Sequence, residues 1–145
     1  MRRILLAFDG SISSIAALEF AVELAQRYGA EMHVLGVVRP PDFAEDVETE
    51  AWIERSRLHL HNVAQPAKSK AAAAGVDCRV EISVGHPAEQ IVRYAEGHDV
   101  DHIVVGHRGH TRFERFLIGS VARQVIAYAS CAVTVVRTPR KGSNR

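Results

Sequence analysis

The alternation of apolar, strand-like runs with helix-like segments limits the possible folds of this chain more than any other feature. The runs ILLAF and HIVVG are apolar almost throughout, which is typical of strands that are covered on both faces. Strands that alternate strictly with helices favour a parallel sheet with helices packed on both sides. We therefore expect an α/β fold in which a parallel sheet forms the middle layer of a three-layer sandwich.

The same pattern predicts five strands, over residues 4–9, 32–38, 78–85, 102–106 and 132–137. Apolar residues at helical spacing before Gly29 indicate a first helix with Ala17, Phe20, Ala21 and Leu24 on its buried face. A last helix is predicted from Ser120 to about Ala129, and its buried face would consist of Ala122, Val125, Ile126 and Ala129.

Prolines mark the two helices between these. A long helix is predicted over residues 49–74, and Pro66 inside it predicts a kink or a break between Asn62 and Gln65. Pro87 suits the first turn of a third helix that ends near Gly97.

Size and charge bound the class of protein. The 145 residues suit one domain, which we assign to 1–138, followed by a polar tail at 139–145 that we expect to be disordered. With 47% hydrophobic residues and a net charge of +1, the chain is not a bulk nucleic-acid binder or a polybasic membrane protein. No apolar run approaches the roughly 18 residues of a membrane span.

The amino-terminal sequence and the two cysteines bear on the cellular compartment of the protein. The basic and apolar start, MRRILLAFDG, is interrupted by Asp9 and Gly10, so we read Met1 as a true start and the protein as cytoplasmic. Cys78 and Cys131 each lie beside a strand-like run. We expect buried thiols there, not a disulfide or a metal site.

A glycine-containing stretch, GHRGHTRFERFLIGS, begins at the end of the fourth predicted strand. In parallel sheets, ligands bind beyond the carboxyl ends of the strands, and Asp9 ends the first strand in the same way. Glycine lets a ligand approach the backbone closely, and a helix that begins at Ser120 offers N–H groups to an anion. The segment is locally basic, with Arg108, His110, Arg112 and Arg115 against the single acid Glu114.

Spacing alone leaves a structural alternative open, because glycines are common at turns and serine is a favoured first residue of helices. The stretch is not a Walker loop, and the first turn, DGSISS, does not have the Rossmann fingerprint. HRGH at 107–110 matches the H-x-G-H signature of adenylate-handling enzymes, but it follows the fourth strand instead of the first.

A family resemblance adds to this reading. Gly106, two residues, Gly109, nine residues and Gly119-Ser120 resemble the G-2x-G-9x-G-[ST] nucleotide motif of the universal stress protein family. ILLAFDGS resembles the family's first strand and turn, and IGSVARQVIAYASCAVTVVR resembles its last helix and strand. The resemblance implies a Rossmann-like sheet of five parallel strands in the order 3-2-1-4-5. It also implies ATP binding, with Mg²⁺, because members that carry the motif bind ATP and members without it do not.

Carried over by position, the resemblance assigns Asp9 to the ribose of the nucleotide, and Ala7 and Val37 to the adenine pocket. Gly106 and Gly109 would let the ribose and phosphates lie against the main chain. The phosphates would accept hydrogen bonds from a set at the start of the last helix, Gly119, Ser120 and Val121. Arg108, His110 and Arg112 would add positive charge. Three residues depart from the family pattern: Phe8, His107 and Ala132.

Other chemistry has little support in the sequence. His59 and His61 are two residues apart, so on a helix they point in different directions, and no third ligand follows at zinc-type spacing. No nucleophile–base pair is evident, so slow ATP hydrolysis or self-phosphorylation stays open beside a regulatory binding role. Asp9 could act as a base or hold Mg²⁺, although a ribose-binding carboxylate needs neither role.

The fifth strand predicts a homodimer. In the implied order, AVTVVR lies at the edge of the sheet, and it is apolar at Ala132, Val133, Val135 and Val136. An apolar edge strand exposes unpaired backbone groups and invites a second copy through a two-fold contact. Dimers of this kind are common in the family. The alternative function is therefore a dimeric interaction module that has lost nucleotide binding.

Overall fold

Five parallel strands form one sheet in the computed structural model of the chain, which describes residues 1–42, 47–108 and 118–138. The strands are β1 (Arg3–Ala7), β2 (Glu31–Val38), β3 (Cys78–Val84), β4 (His102–Gly106) and β5 (Ala132–Val136). Their order across the sheet is β3-β2-β1-β4-β5. The predicted α/β class and the strand order implied by the resemblance are both confirmed.

In the described ranges, four helices cover the two faces of the sheet. They are α1 (Ile12–Tyr28), α2 (Val47–Ala73), α3 (Pro87–Gly97) and α4 (Ser120–Tyr128). Residues of α1 and α2 form one buried cluster with the sheet, and residues of α3 and α4 form a second cluster on the opposite face. The three layers follow from this arrangement.

The central strands are buried on both faces, as their apolar sequences predict. Ile4, Leu5 and Leu6 in β1 have no exposed surface. Successive side chains of a strand point to opposite faces, so Ile4 and Leu6 join the cluster with α1 and α2, whereas Leu5 joins the cluster with α3 and α4. An uninterrupted apolar run is therefore needed here.

Two apolar residues assigned to helix cores are exposed instead. Phe20 in α1 is 40% exposed and Ile126 in α4 is 49% exposed. The buried face of α1 is shifted toward Leu18 and Val22, and that of α4 is centred on Val125. Both predictions were wrong. The tilt of a helix on the sheet decides which side of its apolar stripe is covered, and the spacing of residues in the sequence does not give this tilt.

A kink or a break was predicted near Pro66; the break is wrong, because α2 continues through the proline. A proline removes one backbone hydrogen bond and crowds the preceding turn. Pro66 and Asn62 are both exposed, so water can reach the carbonyl that loses its partner. The Gln65 side chain also donates a hydrogen bond to the His61 carbonyl in this turn, with an N···O distance of 3.2 Å.

The two cysteines are unpaired and lie at opposite edges of the sheet, on β3 and just before β5. They are half-buried, less enclosed than we expected, although burial still raises the pKa of the Cys78 thiol to about 11. Within the three described ranges, no helix has the length and apolar character needed to cross a membrane. The predicted tail at 139–145 lies outside the described residues.

The pairing register brings the carboxyl ends of β1 and β4 together. Ile4 lies beside His102 and Leu6 beside Val104, so Asp9 and Gly106 lie at the same edge of the sheet. The chain reaches β2 on one side of β1 and β4 on the other, which makes this edge the point where the strand order reverses. Ligand crevices of doubly wound sheets form at such a point.

Candidate functional site

A cavity of about 350 Å³ opens at the carboxyl ends of β1 and β4. Its volume falls within the range of small-molecule pockets, roughly 300–1,000 Å³. Eight residues that the sequence assigned to a nucleotide site line it together: Ala7, Asp9, Val37, Gly106, Arg108, Gly119, Ser120 and Val121. The other three assigned residues, Gly109, His110 and Arg112, lie outside the described residues.

One side of the cavity is apolar. Ala7 and Val37 contribute from β1 and β2, and Ile91 contributes from α3. Pro87, which starts α3, closes the same wall. Sequence reasoning missed Pro87 and Ile91, because only the packing of α3 over the sheet carries them to the ends of β1 and β4. An apolar wall of this kind suits a flat aromatic base.

Asp9 lies in the turn between β1 and α1, and the backbone of the turn orients its carboxylate. The Ser11 N–H donates to Asp9 Oδ1 over 2.9 Å. Gly10 has a φ of 82°, and a Cβ at that position would lie 2.7 Å from Val63 Cγ1, so both backbone shape and space require glycine there. The turn therefore presents Asp9 to the cavity in a defined orientation.

Ser11 also begins α1. Its hydroxyl accepts a hydrogen bond from the Ser14 N–H over 3.2 Å, and the Ser14 hydroxyl donates to the Ser11 carbonyl over 2.9 Å. These bonds hold the first turn of α1, and Ser14 lines the cavity. Ser11 is thus the N-cap residue of α1.

The start of α4 forms the opposite end of the cavity. Gly119 precedes the helix and has no side chain that could cap it. The Gly119 N–H already donates to the His107 carbonyl over 2.8 Å, so it is not available to a ligand in this arrangement. The first N–H groups of the helix, those of Ser120, Val121 and Ala122, have no acceptor within the helix and carry the positive end of its dipole.

Gly106 is required by packing. A Cβ on Gly106 would lie 2.8 Å from the backbone carbon of Ser13, which is closer than real Cβ contacts allow. The missing side chain therefore makes room for the first turn of α1 against the end of β4. The predicted approach of a ribose to the Gly106 main chain stays a prediction beside this packing role.

His107 and Phe8, two departures from the family pattern, both line the cavity. Phe8 is 5% exposed and belongs to the core under α1 and α2. The His107 side chain is buried, and its Nε2 has no hydrogen-bond partner among the described residues. Burial lowers the pKa of His107, and the charges of Arg137 and Arg108 lower it further. A ring that the sequence marked only as unusual thus lies at the site.

The other described histidines do not line this cavity. His59 and His61 are exposed on α2, and the described ranges contain no group of three or more histidine, cysteine, aspartate or glutamate residues that could hold a metal ion. His33 is buried near the amino ends of the strands, where it contacts Tyr94 and Glu31.

Comparison with known proteins agrees with the motif and the fold. The model of the universal stress protein family matches residues 1–137. The chain belongs to the universal stress protein family. A universal stress protein of Methanocaldococcus jannaschii is 37% identical over 97% of this chain and 84% of its own length. The universal stress protein YxiE of Bacillus subtilis is 33% identical over 93% of this chain and 98% of its own length.

Solved universal stress proteins share the architecture. The protein UspA from Lactobacillus plantarum superposes with a TM-score of 0.87 at 28% identity, covering 94% of this chain and 97% of that one. A universal stress protein solved in complex with cAMP has a TM-score of 0.74 at 24% identity, over 95% of this chain and 98% of that one. The Archaeoglobus fulgidus protein solved with dAMP has a TM-score of 0.63 at 24% identity, over 94% and 97%.

Proposed function

We propose that this universal stress protein is an ATP-binding regulatory protein, and that ATP binds in the cavity between β1 and β4. The observation that carries the proposal is the convergence, on one cavity of suitable volume, of eight residues assigned through the family resemblance. These residues come from the ends of three strands, from the residues that follow β1 and β4, and from the start of α4, so chance clustering is a poor explanation.

The geometry supports one orientation of the nucleotide. The adenine ring would pack against Ala7, Val37 and Ile91, where the cavity wall is apolar. The ribose hydroxyls would donate to Asp9, which the turn before α1 orients. The phosphates would lie at the start of α4, where the free N–H groups and the helix dipole attract anions.

Mg²⁺ would enter with the nucleotide. Among the described residues that line the cavity, Asp9 is the one acidic side chain. Magnesium commonly binds through substrate phosphates and water with one or two carboxylates from the protein. The residues present fit a metal held mainly by the phosphates, and they do not form a metal site of their own.

The proposed role is binding and not rapid catalysis. The sequence shows no evident nucleophile–base pair, and the described residues that line the cavity include no lysine. Any ATP hydrolysis or self-phosphorylation should therefore be slow beside a median enzyme, which turns over about 10 times per second. Adenine nucleotides bound to other solved members, as in the cAMP and dAMP complexes, are consistent with a binding role.

A homodimer through β5 and a cytoplasmic location complete the proposal. β5 is an edge strand whose residues are half-buried or exposed, so its outer backbone groups are open to a second copy. The two unpaired cysteines are consistent with a reducing compartment.

Titration calorimetry with Mg-ATP tests the site directly. Ala7→Leu would fill the apolar end of the cavity, so we expect a loss of affinity of about tenfold or more while circular dichroism shows a retained fold. Ala51→Leu makes the same change at an exposed position of α2 and should bind ATP as the wild type does. Equal affinity in Ala7→Leu and the wild type would place ATP elsewhere. No binding to the folded wild type would favour the interaction module without nucleotide.

A further inference from the structure

Beside the proposed nucleotide cavity, His107 has a buried nitrogen that has no hydrogen-bond partner among the described residues. The residue is 4% exposed, and its Nε2 makes no hydrogen bond with the described residues. Leaving a buried polar atom unsatisfied is costly, so each such atom in a native protein calls for a physical explanation, for example a functional role or a bound water or ion. Since His107 lines the cavity, the missing partner is best sought there.

The end of β4 directs this ring toward the cavity. Val105 packs into the cluster with α3 and α4, and a Cβ on Gly106 would point to Ser13 of α1. Successive side chains of a strand point to opposite faces of the sheet, so the His107 side chain, like that of Val105, lies on the face covered by α3 and α4. The backbone is held on both sides, because the His107 N–H donates to the Val136 carbonyl and its carbonyl accepts from the Gly119 N–H, each over 2.8 Å.

The second of these bonds ties His107 to the residue that precedes α4. His107 and the first residues of α4 therefore lie close together in the lining of the cavity. A terminal torsion of a histidine side chain is soft, so the ring can pivot toward a ligand without moving this anchored backbone.

The charges around the ring favour an anion. Arg108 follows His107 directly, and Arg137 lies just beyond β5. Burial is the largest cause of the lowered pKa of the imidazole, and the charges of Arg137 and Arg108 lower it further. Asp9, in the turn after β1, is the described acidic residue that lines the cavity, and the register of β1 with β4 continues toward His107. The described cavity residues of the helices carry no charge: Ser14, Pro87, Ile91, Ser120, Val121 and Ala122. The segment 109–117 lies outside the described residues.

Building on the proposed function, we propose that the His107 imidazole binds a phosphate group of the nucleotide through Nε2, as an imidazolium that takes up one proton from water when the ligand enters. In the empty cavity, burial and two arginines lower the pKa of the ring and so disfavour its charged form. A phosphate brings negative charge to the ring and offsets both effects. Both ring nitrogens then carry hydrogen, and Nε2–H donates to a phosphate oxygen in a charge-assisted hydrogen bond.

This arrangement distinguishes phosphorylated ligands from unphosphorylated ones. The affinity for ATP should rise as the pH falls toward 6, by at most about tenfold per pH unit for one linked proton. Adenosine has no phosphate to accept the bond, so its affinity should not follow the same trend.

Calorimetry of Mg-ATP binding near neutral pH, in two buffers with different ionisation enthalpies, measures the protons taken up. We expect net uptake by the wild type. His107→Gln retains an amide donor near the position of Nε2 but cannot titrate, so it should bind ATP with less proton uptake and a flatter pH dependence. His86→Gln replaces an exposed histidine at the start of α3 and should match the wild type.

The titration of the phosphates of ATP is the same for all variants, so it cancels when proton uptake is compared between the wild type and each variant. ATP binding with equal proton uptake in the wild type and in folded His107→Gln would overturn the role of His107 and leave the proposed function intact. No ATP binding to the wild type would overturn both. If His107→Gln does not fold, equal pH trends for ATP and adenosine in the wild type overturn the inference, and a steeper rise for ATP supports it.

Discussion

Individual glycines at the site are required for different structural reasons. Gly10 adopts a left-handed backbone conformation under Val63, and Gly106 gives up its side chain so that Ser13 can approach β4. In the sequence, both are glycines at the carboxyl end of a strand. Only the neighbours that α1 and α2 supply tell them apart, and neither reason involves a ligand.

Gly106→Ala tests the packing reason. The added methyl group would lie within 3 Å of the Ser13 backbone, and a backbone cannot move aside as a flexible side chain can. We expect a loss of about 1–3 kcal/mol in the free energy of unfolding, measured with urea. The control is Gly97→Ala in the last turn of α3. A Cβ there meets no atom within 4 Å, so stability should be unchanged or slightly higher. Similar stability of Gly106→Ala and the wild type would contradict the packing role.

Between elements, a polar cluster joins β1 and β2 to α3 at the amino ends of the strands. His33 Nδ1 lies 2.7 Å from the Tyr94 hydroxyl oxygen, and His33 Nε2 lies 3.1 Å from Glu31 Oε1. The Tyr94 ring stacks on His98 with centroids 3.8 Å apart, and Arg3 donates to the His98 carbonyl. The cluster fixes α3 at the end of the sheet opposite the cavity.

The burial of His33 predicts a pH dependence of stability. Burial lowers the pKa of His33, and the hydrogen bond to Glu31 raises it by less; Arg79 and His98 also lower it. The unfolded chain therefore binds more protons than the folded one below the ordinary histidine pKa of about 6.5. The free energy of unfolding should fall as the pH drops from about 7 to 5.

Variants separate the contribution of His33 from that of other groups. For His33→Gln, the free energy of unfolding measured with urea should fall less steeply as the pH is lowered. This variant should start from a lower stability, because its contacts to Tyr94 and Glu31 change. His59→Gln, at an exposed position on α2, should keep the slope of the wild type. A slope that is the same in all three proteins would show that His33 does not cause it.

On the scale of the whole molecule, β5 forms one edge of the sheet, and no described strand pairs with its outer side. The His107 N–H bonds to the Val136 carbonyl, so Val136 directs its backbone groups toward β4. The backbone groups of a strand alternate in direction, which leaves those of Val133 and Val135 pointing to the open edge. A dimer through β5 would use these groups.

Proline substitutions test that dimer without breaking the sheet. Val133→Pro and Val135→Pro each remove an outward N–H, and proline is tolerated on the free side of an edge strand. We expect light scattering to find a dimer for the wild type at micromolar concentration and monomers for these variants, with the fold retained by circular dichroism. Thr134→Pro, whose N–H points toward β4, should instead destabilise the fold. Folded Val133→Pro and Val135→Pro proteins that stay dimeric would rule out the β5 interface.

The sequence was a sound guide to the fold because its strand signals are local. Uninterrupted apolar runs mark strands covered on both faces, and all five lie where they were predicted, with differences of one or two residues at some ends. Helix faces were less certain, as Phe20 and Ile126 show, because the tilt of each helix on the sheet decides which apolar side chains are covered.

For the candidate site, too, the sequence indicated some features and the tertiary structure decided others. By itself, the sequence determined the element types and the spacing of the glycine motif, and through the family resemblance it indicated eight of the residues that line the cavity. Only the tertiary structure added Ser14, Pro87 and Ile91, made His107 a buried cavity residue, and gave Gly106 its packing role. Periodicity depends on neighbours along the chain, whereas these positions depend on contacts between elements that are far apart in sequence.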